Sequence, residues 1–250
     1  MAYERYLSTV TELTDRIRDS IRPTIAKAAV SMADSIKKGR AVYLFGSGHS
    51  VMPCLDVFPR YGGYAGFVPM TDPRLMWFTV SGQGGAEELI WLERQEGYIG
   101  NFLRHYNITP SDTVVVFSHG GLNAAPVEVA LHGKEKGATV IAVTCKDNLR
   151  VNKPVHSSGK RLADIADIVI DNCVSYEDAQ VSIEGVTHKV GAVSTVAFIV
   201  IAQCLVVETA ALLAESGIPV SPFVSPNVPG VSKDHNPNVF EQYNRLVRGL

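Results

Sequence analysis

Cysteine is scarce in this 250-residue chain, and the four present, Cys54, Cys145, Cys173 and Cys204, are scattered. They form no Cys-x-x-Cys pair and have no histidine at ligand spacing, which excludes a recognisable disulfide framework or zinc ribbon. Cys145 and Cys173 fall in or beside apolar runs and Cys204 lies within one, as expected of buried thiols in a reducing compartment. The seven histidines likewise lack i, i+4 partners or a carboxylate triad, so no metal is expected. Charge is sparse at 19%, and the net of -2 leaves no basic footprint for nucleic acid or an anionic membrane. The longest apolar stretch, Ala192 to Val207, is interrupted by Ser194, Thr195 and Gln203 and meets Glu208. A buried core helix fits it better than a membrane span. The opening Met1-Ala-Tyr-Glu-Arg-Tyr has no charged-then-apolar signal pattern, and no internal repeat is visible. A cytoplasmic, metal-independent protein is the expectation.

What is present is a core-forming composition, 46% hydrophobic, of a size that suits one domain over 1–250. A helical region covers 1–38, an α/β core 39–218 and a tail 219–250. In the first region Tyr6, Val10, Leu13, Ile17, Ile21, Ile25, Ala28, Met32 and Ile36 recur at steps of three and four. This predicts a long helix that Pro23 kinks or splits and Gly39 ends.

Strands are expected at 41–45, 67–70, 113–117, 138–144 and 167–171, with a hairpin turning at Glu184-Gly185. Helices are expected at about 51–58, 86–105, 124–136, 160–166 and 192–216, with a short one at the end. Residues 71–86, including Ser81-Gly-Gln-Gly-Gly, read as irregular, and 145–159 as a long basic loop. This alternation predicts a doubly wound five-stranded parallel sheet, order 2-1-3-4-5, flanked by helices.

In such a sheet ligands bind outside the carboxyl ends of the strands, where the strand order reverses. With that order, strands one and three are neighbours, and each ends in a small polar turn. The first is Gly46-Ser47-Gly48-His49-Ser50, with Ser50 placed to cap the next helix; the second is Ser118-His119-Gly120-Gly121-Leu122-Asn123. Either turn alone is equally a tight connection with no ligand. Together they supply hydroxyls, an amide, backbone N–H groups and helix N-termini, an inventory suited to a phosphate without a metal. A dinucleotide fingerprint is excluded by the missing third glycine and the late Asp72, and a Walker loop by the absence of Gly-Lys-Ser/Thr.

These turns resemble those of the sugar-isomerase (SIS) domain superfamily, which has Gly-x-Gly-x-Ser after strand one and a Ser-x-Ser-Gly-x-Thr-like turn after strand three. Within it the chain resembles a bacterial family of about this length. The matching blocks include Phe45-Gly-Ser-Gly-His-Ser, Glu93-Arg-Gln-Glu-Gly-Tyr, Asn123-Ala-Ala-Pro-Val-Glu, His156-Ser-Ser-Gly-Lys and Asn227-Val-Pro-Gly. More distant likenesses are to N-acetylmuramic acid 6-phosphate etherases and phosphoheptose isomerases. The resemblance implies the SIS fold, a phosphorylated sugar as ligand, no cofactor, and a homodimer or homotetramer with sites near subunit boundaries. By motif match Ser50 and Ser118 hold the phosphate, with Ser47 and Asn123 completing the cradle. One departure stands out: Gly120 replaces the second motif serine and Asn123 the threonine, so one hydroxyl is missing.

The expected chemistry is aldose–ketose isomerisation, which needs a base and an acid/base for ring opening. Glu96 is the expected base, Glu88 its alternative two turns away, and His235 a candidate acid/base borrowed by a neighbouring site. His49 and His119 are placed to contact substrate, and Arg60 to neutralise an acid group or form an ion pair. Arg60 stands about where the etherases carry their second carboxylate, which counts against an ether lyase. Lys160 and Arg161 read as surface charge before an anion clamp. A non-catalytic phosphosugar sensor and an etherase-like lyase are the alternative functions.

Overall fold

The computed structural model describes residues 1–76 and 85–249. Five parallel strands form the central sheet: β1 (Val42–Gly46), β2 (Phe67–Met70), β3 (Thr113–Phe117), β4 (Thr139–Thr144) and β5 (Ile168–Asp171). Their order is β2-β1-β3-β4-β5, as the sequence predicts. β1 and β3 are buried at every position, which is why neither shows a polar alternation. Their register pairs Val42 with Thr113 and Gly46 with Phe117, so both strands end at the same level.

Alternate side chains feed two cores. Val42, Leu44, Val115, Phe117, Ile141 and Val143 pack on one face, and Tyr43, Phe45, Val114, Val116, Val140 and Ala142 on the other. Two helices cover the first face. α2 (Arg22–Lys37) contributes Ile25, Ala28 and Met32, and the helix Ser194–Glu215 contributes Phe198, Ile201 and Leu205. The latter is long and apolar enough to cross a membrane by length and composition, yet these side chains pack in the core. The opposite face is covered by helices from the chain between β2 and β4.

α1 (Ala2–Ser20) and α2 meet at Ile21, so the long N-terminal helix is split and not merely bent. Pro23 falls in the first turn of α2, where its missing N–H has no intrahelical partner to lose. α3 (Met52–Val57) follows β1. The single helix expected over 86–105 is two, α4 (Gly85–Leu92) and α5 (Tyr98–Leu103). Gly97 between them has φ +83°, a left-handed conformation that ends helical propagation, and its N–H goes to Glu128 Oε1 at 2.6 Å. Residues 77–84, half of the stretch read as irregular, lie outside the described residues.

α6 (Ala124–Glu135) follows β3 as expected. The loop expected over 145–159 contains one helical turn, α7 (Asn148–Val151), and α8 (Leu162–Ile165) is shorter than its expected span. The hairpin, β6 (Ala179–Val181) and β7 (Val190–Ala192), forms a separate two-stranded sheet, and α9 is the core helix Ser194–Glu215. The tail ends in α10 (His235–Arg248), and its Tyr243 stacks 4.6 Å from the buried Phe58 ring. The last helix, expected from the sequence as a short one at the end, is therefore packed on the core.

Candidate functional site

The site is built at the carboxyl edge of the sheet, where β1 and β3 stop side by side. After β1 the chain turns at once: Gly46 is buried, and a Cβ there would fall on the Ser50 carbonyl oxygen. Only glycine lets that carbonyl approach. Gly48 has φ +56° and opens a short 3-10 turn, Gly48–Val51. Ser50 therefore lies inside a turn and is no helix cap; its N–H donates to the Ser47 carbonyl at 3.1 Å. Its hydroxyl bonds no described residue. His49 is exposed on the rim.

After β3, the Ser118 hydroxyl accepts from the Gly121 N–H at 3.1 Å and closes the second turn. Gly121 has φ +62°, and a Cβ there would stand 2.9 Å from Thr144 Oγ1. Gly120 is different. A Cβ on it would meet only Asn148 Nδ2, at 3.7 Å, an ordinary contact. Space for a side chain exists at the position where the motif serine is missing. The N–H groups of Gly120, Leu122, Asn123 and Ala124 donate to no described residue. They gather at the N-terminus of the 12-residue α6, the positive end of its dipole.

One carboxylate joins the two turns, and it is Glu93. Its Oε2 accepts from Ser47 Oγ at 2.6 Å and its Oε1 from Asn123 Nδ2 at 2.7 Å. The Glu93 carbonyl accepts the Ala125 N–H at 3.0 Å, which ties the end of α4 to the start of α6. Burial pushes the Glu93 carboxyl above the usual carboxylate range, and the Ser47 hydrogen bond and the Arg94 charge oppose this only in part. The Arg94 side chain is hydrogen-bonded to no described residue. Ser47 and Asn123, expected to hold phosphate, are here engaged by this carboxylate.

Glu96 points elsewhere. Its Oε1 accepts the Ser157 N–H at 2.7 Å and its other oxygen accepts the Ser157 hydroxyl, bonds that hold its carboxyl below the usual range. Glu96 stands on a cleft of about 440 Å³, lined also by Arg94, Asn123 and His156 among others; Glu93 is not in its lining. Glu88 is exposed beside Arg74, Trp91 and Leu92. Arg60 pairs with Asp56 and faces a separate hollow with Phe223 and Phe240. The His235 Nε2–H donates to the Pro222 carbonyl at 2.7 Å, also in the tail region and not in the cleft of this chain.

His119 is bound on both sides of its ring. Asn172 Nδ2 donates to its Nδ1 at 3.0 Å, an amide orientation fixed because Asn172 Oδ1 accepts from the Val174 N–H. The ring proton is thereby on Nε2, which donates to the Tyr176 carbonyl at 3.3 Å. Both nitrogens serve the protein. Arg161 pairs with Asp164 and bonds the Leu149 carbonyl, so it fastens the loop before α8. Among the described residues no group of three or more His, Cys, Asp or Glu side chains is placed to hold a metal ion.

Sequence reasoning passed over Glu93 because it placed Glu88, Glu93 and Glu96 on one continuous helix. The available signal was Gly97, a glycine at φ +83° immediately before α5, which breaks the span 86–105 into two helices; α4 has already ended at Leu92, so Glu93 lies outside it.

Residues 5–145, which include both turns and Glu93, match the SIS domain family. A UPF0309 protein of Thermoanaerobacter pseudethanolicus is 32% identical over 249 residues, covering 98% of each chain. Another, of Oceanobacillus iheyensis, is 35% identical over 243 residues and 96% of each. Among solved structures, a phosphoheptose isomerase of Neisseria gonorrhoeae superposes with TM-score 0.55 at 13% identity, covering 84% of this chain and 100% of that one. One of Francisella tularensis gives TM-score 0.53 at 14% identity, over 84% and 96%. At those identities the likeness is one of fold. Whole-length sequence identity above 30% goes further, and with the domain match it shows that this chain belongs to the SIS domain family and, within it, to the UPF0309 proteins.

Proposed function

We propose that this chain binds a phosphorylated sugar at the carboxyl edge of its sheet and interconverts the aldose and ketose forms, with Glu93 as the base. The observation that carries this reading is the Glu93 carboxylate bridging Ser47 and Asn123, one residue from each strand-end turn. Isomerisation removes a proton from the carbon beside a carbonyl and returns it to the neighbouring carbon. A carboxylate whose proton affinity is raised by burial is suited to both halves. Glu96, held below the usual range by Ser157, is a poorer base.

Because Glu93 engages Ser47 and Asn123, the phosphate is assigned to the remaining donors. These are the hydroxyls of Ser50 and Ser118 and the N–H groups of Gly120, Leu122 and Ala124 at the α6 N-terminus. Arg94 adds a cation on the rim of the cleft. Membership of the SIS family and the likeness of fold to two phosphoheptose isomerases support a phosphosugar as ligand.

The test has two stages. A thermal-shift panel of hexose, heptose and amino-sugar phosphates, beside their unphosphorylated parents, asks for stabilisation by a phosphate alone. A ligand at about 100 times its Kd adds about 2.7 kcal/mol. Glu93→Gln then separates function classes: an isomerase loses turnover and keeps the ligand, whereas a sensor has no turnover to lose. Release of a carboxylic acid product would identify a lyase and end the isomerase reading.

A further inference from the structure

Gly120 leaves the second turn without a side chain where a hydroxyl was expected, and one buried amide borders the space. We propose that Asn148 is a phosphate-binding residue: its Nδ2 donates to the ligand phosphate over Gly120, in place of the hydroxyl that the turn lacks. The proposal rests on the phosphosugar reading above and names a donor that neither turn contains.

Three observations place it there. The first is the space. Apart from the turn's own neighbouring residues, Asn148 Nδ2 is the only described atom within 4 Å of the point a Gly120 Cβ would occupy, at 3.7 Å. The Gly120 N–H, which donates to no described residue, adjoins the same point just before the α6 N-terminus. The second is the unmet donor. Asn148 is 6% exposed, and its Nδ2 donates to no described residue. Its Oδ1 is engaged, accepting from Asn152 Nδ2, so the NH2 end is the one turned toward Gly120. Among the described residues the fully enclosed side-chain atoms without a partner are the Tyr43 hydroxyl and His132 Nε2. Asn148 Nδ2 is not sealed in with them; it opens on accessible space, where a ligand oxygen can complete its bond. The third is rigidity. Asn148 opens α7, its N–H donates to Cys145 Sγ at 3.3 Å, and its carbonyl accepts the Asn152 N–H at 3.0 Å. The Cys145 N–H and Thr144 Oγ1 both donate to the carbonyl of His119, the residue before Gly120, at 3.2 and 3.3 Å. Amide and turn are thus braced as one unit, and the donor is preorganised.

A serine at position 120 would receive the amide on its Oγ and pass its own O–H to the phosphate. With glycine there, the amide reaches the ligand itself. An amide NH2 is a donor only, so it favours an oxygen that carries negative charge, as those of a phosphate monoester do.

The probes are inorganic phosphate, fructose 6-phosphate and sedoheptulose 7-phosphate. Binding is measured by calorimetry to the parent chain, Asn148→Ala, Asn148→Asp and the double variant Asn148→Ala with Gly120→Ser. The Ala variant should bind whichever probes the parent accepts about 10–100-fold more weakly. The Asp variant should bind more weakly still, because its carboxylate repels the phosphate. Adding Gly120→Ser to the Ala variant should recover most of the loss, which a merely loosened loop would not allow. Ala and Asp variants that bind as tightly as the parent overturn the role of Asn148 and leave the phosphosugar reading standing. A loss that the serine does not recover assigns Asn148 to bracing alone and overturns the proposal. A parent that binds none of the three probes overturns the phosphosugar reading, and the proposal with it. If the variants do not fold, the Asn148 side-chain NH2 resonances of the parent serve instead. They should move when a bound probe is added, and unmoved resonances overturn the proposal.

Discussion

Ser47 and Glu93, 46 residues apart in the chain, meet through a 2.6 Å hydrogen bond at the carboxyl edge of the sheet. That bond works against burial, which raises the proton affinity of Glu93. Ser47→Ala should therefore raise the Glu93 pKa further. For a base that must be ionised, the acid limb of kcat/KM should move to higher pH, read from a pH–rate profile with the preferred sugar phosphate. An unmoved limb would separate Glu93 from the catalytic titration.

Glu93→Gln should abolish most turnover, by about 10²–10⁴-fold, while preserving the fold. Its amide can accept from Asn123 and donate to Ser47, so both bonds survive in form. A carboxyl whose folded pKa lies above its unfolded value gives stability that is complete below the unfolded value and is lost as pH rises through the folded one. Glu93→Gln removes that loss. Its melting temperature at neutral pH should equal or exceed the parent's, and the parent should gain on it as pH falls toward the ordinary carboxylate range.

The two glycines of the second turn should respond oppositely. Gly120→Ser meets only Asn148 Nδ2 at 3.7 Å and restores a hydroxyl beside the α6 N-terminus. It should fold normally and tighten phosphate binding by about 0.5–1.5 kcal/mol, measured by calorimetry. Gly121→Ala places a Cβ 2.9 Å from Thr144 Oγ1 at φ +62° and should cost about 1–3 kcal/mol in denaturant unfolding.

Asp112 holds the opposite end of the same two strands. Its carboxylate is fully buried and accepts from Arg40 Nη2 at 2.7 Å, the Ala41 N–H at 3.0 Å and the Thr109 N–H at 2.7 Å. These bonds join the residue before β1 to the turn before β3. Asp112→Ala leaves the Arg40 guanidinium and two N–H groups without their acceptor and should cost about 3–5 kcal/mol by urea titration. Residual ligand binding per folded molecule should be unchanged, since the site lies at the other end of the strands.

The sequence by itself determined the sheet. Runs such as Val42–Phe45 and Val114–Phe117, apolar at every position, are explicable only by strands covered on both faces, and their alternation with helical patterns made the sheet parallel. It also located both polar turns, because Gly46, Gly48 and Gly121 mark places where backbone must turn sharply or approach closely. Tertiary structure decided which carboxylate enters the site. Glu93 and Glu96 share one short block, and propensity does not distinguish them. Capture of Gly97 by Glu128, of Glu96 by Ser157 and of the Glu93 carbonyl by Ala125 are contacts 31, 61 and 32 positions apart (Gly97–Glu128, Glu96–Ser157, Glu93–Ala125) that turn the two side chains in different directions. His156 is the same case: its place on the cleft, bonded to Glu128, exists only once the loop after β4 folds back against α6. Local patterning reflects burial and turn chemistry; the convergence of distant polar groups depends on packing, which no local window contains.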